Sequence, residues 1–150
     1  MKRLLTLLVT ICLLFSLPFH SSAASDTDKN IIYLNDGYYI IVTTESIDTR
    51  ATNTKSGSRS FDCYNSNNEL EWKAVLSGTF TYNGTSATCT ASSCNTTIYN
   101  TNWYEISNTA SKSGSTASAT VTMGRKFLGI TIEKETHTIS LSCDKNGVLS

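Results

Sequence analysis

From Trp72 to Tyr82 the chain alternates with a period of two: Trp72, Ala74, Leu76, Gly78, Phe80 and Tyr82 fall on one side, and Lys73, Val75, Ser77, Thr79 and Thr81 on the other. Only a pleated strand with one buried face explains that pattern. Asn83-Gly84 follows at once. This pair tolerates positive φ at both central positions of a two-residue hairpin turn. The spacing therefore predicts that Tyr82 opposes Thr85, Phe80 opposes Ala87 and Gly78 opposes Cys89, which puts Cys89 on the tryptophan face. His137, Ile139, Leu141 and Cys143 alternate with Thr136, Thr138, Ser140 and Ser142 in the same manner, so Cys143 also faces inward.

Further strands are expected over Ile31–Leu34 and Tyr38–Thr44 around an Asn35-Asp36-Gly37 turn, over Arg59–Tyr64, Tyr99–Ser107 and Thr116–Met123, and from Phe127 to Cys143. Residues 48–58 lack apolar alternation and read as a linker. After the N-terminal segment no long helical period occurs. The expected fold class is all-β: an antiparallel β-sandwich, immunoglobulin-like in character and stapled by disulfides.

Lys2 and Arg3, the apolar run Leu4 to Leu17, Pro18 and the small residues Ser21 to Ala24 have the layout of a cleaved signal peptide, and the run falls short of the roughly 20 residues that span a bilayer. The expected organisation is therefore a signal peptide over 1–24, an N-terminal segment with a β-hairpin over 25–47, the linker over 48–58 and a β-sandwich domain over 59–150. The product is expected to be secreted, with no membrane contact once the signal is removed. Loss of Lys2 and Arg3 changes a balance of 12 basic and 12 acidic residues to 10 and 12, or −2. A near-neutral chain with scattered cations has no footprint for nucleic acid.

Export makes disulfides the default state of cysteines. Cys89 and Cys143, on separate strands and both inward, suggest an inter-sheet bond; Cys63 and Cys94 then remain for each other. Four cysteines allow three pairings, and Cys89–Cys94 is the main rival.

The run Trp72 … Gly78-Thr-Phe80-Thr-Tyr-Asn83-Gly84 … Cys89, with Trp103, Lys112-Ser-Gly114-Ser-Thr-Ala117 and Leu141-Ser-Cys143-Asp-Lys-Asn146-Gly147, resembles small secreted proteins of clostridia-type Gram-positive bacteria. The likeness covers most of Arg59 to Ser150. It implies export and a β domain, and it supplies no mechanism. In that pattern the paired cysteines correspond to Cys89 and Cys143, while Cys63 and Cys94 look like additions.

His137 has no nucleophile or second base tied to it by motif, and it reads as a strand-end imidazole at the rim of the sandwich. Glu69/Glu71 and Glu133/Glu135 have the i, i+2 spacing of carboxylate pairs, but each lies beside a lysine and reads as solvated charge. Asp144-Lys-Asn146-Gly147 echoes a calcium loop without its further ligands and reads as a turn. No cofactor or metal is expected. Two aromatic groups offer a binding platform: Tyr38 and Tyr39, with Tyr33 nearby, and Trp103 and Tyr104, with Tyr99 nearby. Alternation places at least one of each adjacent pair outward, where flat rings can dock a glycan or a surface protein. These features favour a non-enzymatic extracellular binding module. A secreted effector, such as a bacteriocin-like toxin or an inhibitor, is the alternative.

Overall fold

The computed structural model describes residues 29–47 and 53–150; residues 1–28, with the expected signal peptide, and residues 48–52 lie outside them. Eight strands follow one another: β1 (Lys29–Tyr33), β2 (Tyr39–Ile47), β3 (Thr54–Tyr64), β4 (Leu70–Tyr82), β5 (Ala87–Ile98), β6 (Trp103–Ser113), β7 (Thr116–Phe127) and β8 (Ile130–Ser142). They form two antiparallel sheets, β1-β2-β3-β4-β5 and β6-β7-β8. Within each sheet every strand pairs with its neighbours in sequence, so each sheet is a meander. The immunoglobulin-like expectation is corrected here, because that fold interleaves its two sheets through Greek-key connections.

The sheets pack face to face. Ile40, Phe61, Trp72, Leu76 and Phe80 project from the five-stranded sheet onto Ala117, Ala119, Val121, Met123, Ile139 and Leu141 of the three-stranded one. Large rings meet small residues at the centre, where the methyl groups of β7 leave room for indole and phenyl groups from β4. Along one side the sheets are tied by Asn108 Nδ2, which donates to Cys94 O at 3.1 Å, and by Lys112 Nζ, which donates to Thr90 O. On the other, Arg59 Nη1 donates to Ser140 O at 2.6 Å.

β4 is buried on the predicted face, but its hairpin differs from the two-residue expectation. Tyr82 pairs with Ala87 and Phe80 with Cys89, and the register shifts only beyond them, between Thr79 and Phe80. The loop is four residues long, closed by Asn83 N–H donating to Ser86 O at 3.1 Å. Asn83 Oδ1 accepts from the backbone N–H of Thr85 and Ser86 at 3.0 and 2.9 Å, so an Asx turn outcompetes the tight one. Cys89 still faces inward, because its partner moved by two residues and a shift of two preserves the face.

The linker expectation for 48–58 fails from Thr54 onward. Residues 54–58 are the first half of β3, paired with β4 throughout and with β2 from Ser56 onward. A central strand is held by its two backbone ladders, so Lys55-Ser56-Gly57-Ser58 needs no apolar alternation to be one. Gly57 is packed so closely by Leu149 and by Glu45 O, 2.6 Å from where a Cβ would stand, that no side chain fits. The N-terminal hairpin is thus the continuation of the main sheet.

Asp144 to Val148 forms the expected turn. Asp144 Oδ1 accepts from the N–H groups of Asn146 and Val148, each at 2.8 Å. The Val148 amide is the first cause holding this carboxyl below its ordinary value.

Candidate binding face

The outward face of the five-stranded sheet is laid out in register rows. Tyr33, Tyr39 and Tyr64 occupy directly paired positions on β1, β2 and β3. One step along the sheet come Ile31, Ile41, Asp62 and Lys73, and one step further Lys29, Thr43, Ser60 and Val75. The Tyr39 and Tyr64 rings stack with centroids 5.4 Å apart and planes 15° from parallel. Tyr39 Oη donates to Asn68 Oδ1 at 2.9 Å, which fixes the ring against the β3–β4 loop. Lys73 Nζ and Asp62 Oδ2 pair at 3.0 Å. Burial raises the Tyr64 phenol, with Asp62 adding to the effect and Lys73 opposing it. A shallow depression of about 230 Å³ lined by Thr43, Glu45, Ser58, Ser60, Lys73 and Val75 continues the surface away from the rings. Aromatic faces, an amide, an ion pair and hydroxyl groups therefore converge within a few strand positions of each other.

The four aromatic candidates go to different places. Tyr39 belongs to this face. Tyr38, its neighbour, turns inward and meets Trp103 edge-on at 5.7 Å. Trp103 is 2 % exposed and packs on Trp72 at 6.1 Å, so it is core and no platform. Tyr104 lies flat on the outside of the other sheet over Gly124, where a Cβ would come within 2.5 Å of its ring. Its hydroxyl shares a 2.8 Å hydrogen bond with Thr131 Oγ1. Lys126 Nζ stands 4.3 Å from its ring centre. Tyr64 escaped the sequence reading because only the β2–β3 register brings it beside Tyr39.

The titratable candidates also require correction. His137 sits within β8, paired with Val121, and packs against Phe61 and Trp72 between the sheets, 6.2 and 5.9 Å from their ring centres. It is no rim residue. Glu133 and Glu135 face inward with it. Arg125 Nη2 meets Glu133 Oε2 at 2.6 Å and Asp36 Oδ2 at 2.9 Å. His137 Nε2 stands 3.2 Å from Glu135 Oε2. Glu71 is turned inward by a bulge: Cys63 pairs with Trp72 and Tyr64 with Leu70, leaving Glu71 as the extra residue, 2 % exposed. A bulge sends two successive side chains toward one face. Glu71 Oε1 accepts from Asn65 Nδ2 at 2.7 Å, and its Oε2 has no hydrogen-bond partner. These acids are structural, held by a guanidinium, an imidazole and an amide.

Cys63, Cys89, Cys94 and Cys143 are free thiols. The expected Cys63–Cys94 bond is corrected by the register: Cys63 pairs with Trp72 and Cys94 with Leu76, two strands apart and four residues along. A disulfide spans no such gap. Burial, with Glu135, Glu71 and Glu133 adding to it, pushes the Cys63 thiol up to about 12. Cys94 is raised as well, first by burial, but is only half-buried. Alkylation by iodoacetamide at pH 8 is therefore expected to label Cys94 in the folded protein and leave Cys63 untouched until denaturant is added. Peptide mass spectrometry reads both sites, and labelling of Cys63 at the rate of Cys94 would contradict this environment.

Cys89 and Cys143 are placed differently. Cys89 N–H donates to Gly114 O at 2.7 Å and Cys143 N–H to Ser115 O at 3.0 Å, so the two residues flank one turn between β6 and β7. Their sulfurs point at Ala91 O and Asp144 O. In comparison with known proteins, the chain matches no family model, no curated protein and no solved structure.

Proposed function

We propose that the chain is a secreted, non-enzymatic binding module that holds a polyhydroxylated ligand, a surface glycan, on the outer face of its five-stranded sheet. The observation that carries this reading is the row Tyr33, Tyr39 and Tyr64 beside Asn68 and the Asp62–Lys73 pair. A sugar ring offers an apolar C–H face to an aromatic ring and hydroxyl groups to carboxylate, ammonium and amide, and this surface supplies each of those partners. The signal-peptide layout of the first 24 residues and the resemblance to secreted clostridia-type proteins support the compartment. The engagement of Glu133, Glu135 and His137 within the core supports binding over catalysis.

Export also favours a bond between Cys89 and Cys143. The two residues flank one turn, burial raises both thiols, and Cys89 adds to the effect at Cys143. Cys63 and Cys94 stay reduced.

An array of bacterial surface polysaccharides tests the function directly. The protein is expected to retain at least one, and Tyr39→Ala to weaken it at least tenfold, as loss of an aromatic anchor does. Tyr104→Ala, on the opposite sheet, is expected to bind as the parent does. Absence of any retained glycan, or equal binding by Tyr39→Ala, would refute the reading.

A further inference from the structure

The β7–β8 hairpin runs past the start of β6: Trp103 pairs with Arg125, Lys126 N–H donates to Asn102 O at 2.7 Å, and residues 127–130 lie beyond. Its tip is apolar and open. Phe127, Leu128, Ile130 and Ile132 are 63, 87, 70 and 53 % exposed, four apolar side chains within six positions. The turn itself is unfavourable for its sequence. Leu128 and Gly129 both have positive φ, 49° and 80°, a pair of positions that suits Asn-Gly and sets the Cβ of leucine against its own backbone. A residue that is sterically disfavoured and also exposes its whole side chain to water serves neither the turn nor the core.

We propose that this tip dips into the interfacial region of an anionic lipid bilayer and holds the domain at a membrane surface. Phe127 and Ile130 pair across the hairpin on the face continuous with the core, Leu128 caps the turn, and Ile132 sits at the bulge between the Arg125 and Lys126 rows. The turn and the core-side face of the tip are thus apolar. Behind the tip, on the outer face, stand Lys126, Tyr104 and Lys134. That order, apolar first and then an aromatic ring with cations, matches the polarity profile of a bilayer surface, and the two ammonium groups complement anionic headgroups. The nearby acids Glu133 and Asp36 are both taken up by Arg125.

Among the described residues no helix is long and apolar enough to cross a membrane. The expectation of no membrane contact rested on removal of the apolar run with the signal, and a hairpin tip escapes that criterion because it inserts only a few side chains.

Co-sedimentation of the mature full chain with phosphatidylglycerol vesicles and with phosphatidylcholine vesicles tests the proposal. The protein is expected to pellet with the anionic vesicles and less with the neutral ones. Leu128→Asp, which suits a positive φ, is expected to cut that partition about tenfold or more, the effect of losing one buried leucine, with an unchanged circular dichroism spectrum. Leu128→Trp is expected to keep binding and to shift its emission to the blue on adding vesicles. No pelleting of the parent, equal pelleting of Leu128→Asp, or a dimer of the parent that Leu128→Asp dissolves would overturn it. Tyr39→Ala is expected to retain vesicle binding, so failure here and failure of the glycan reading are separate results.

Discussion

Trp72→Ala should lower the unfolding free energy by about 4 kcal/mol, within the range of large aromatic truncations in closed cores. Trp72 is fully buried on β4, directly paired with Cys63 and Ile98, and its ring touches both Trp103 and His137 from the other sheet. The cavity left behind has little means of collapsing. Trp103 is held by its ring contact with Tyr38 and by its backbone N–H, which donates to Asn100 O at 3.0 Å, while β4 is locked between two ladders. Domains of this kind are stable by about 5–15 kcal/mol, so the variant would lose a large fraction of its margin. Urea unfolding followed by circular dichroism measures it. A midpoint shift worth less than about 1 kcal/mol would mean that the inter-sheet core is not centred on this indole.

Oxidation of Cys89 and Cys143 should add about 4 kcal/mol of stability, the chain-entropy expectation for closing a loop of roughly 54 residues. Unfolding with and without reductant is expected to show the difference in the parent and in Cys94→Ser, and to lose it in Cys89→Ser. A non-reducing peptide map identifies the linked pair. Identical midpoints with and without reductant, together with alkylation of both thiols, would show that Cys89 and Cys143 flank the Gly114-Ser115 turn without bonding to each other.

Much of the strand content was legible because alternation is a local signal. The inward face of β4, Trp72 through Phe80, could be read from spacing alone, as could the inward set Ile139, Leu141 and Cys143. Glu133 and Glu135 read as solvated charge in the sequence, although they share the parity of His137 and the structure turns them inward. Their charge argued for solvent, and that argument failed because Arg125 lies on the neighbouring strand, opposite Glu133. A buried carboxylate looks implausible in a sequence until its partner is placed. Glu71 was illegible for another reason: its direction depends on one extra residue in β4 relative to β3, which exists only when the two strands pair.

The candidate binding face divides along the same line. Tyr38 and Tyr39 had to point opposite ways, yet which one faced the core depended on whether Trp103 stood behind the sheet to receive it. Tyr64 and Tyr39 are 25 positions apart and become neighbours only through the β2–β3 register. The amino-acid order alone therefore established an all-β chain, the faces of its best-patterned strands and the chemistry of its turns, since backbone sterics and side-chain alternation act over a few residues. Sheet membership, the bulges, the partners of buried charges and the assembly of the tyrosine row came from the tertiary structure. Each of them depends on contacts between segments distant in sequence, which hydrogen-bond register and close packing select and short-range periodicity does not encode.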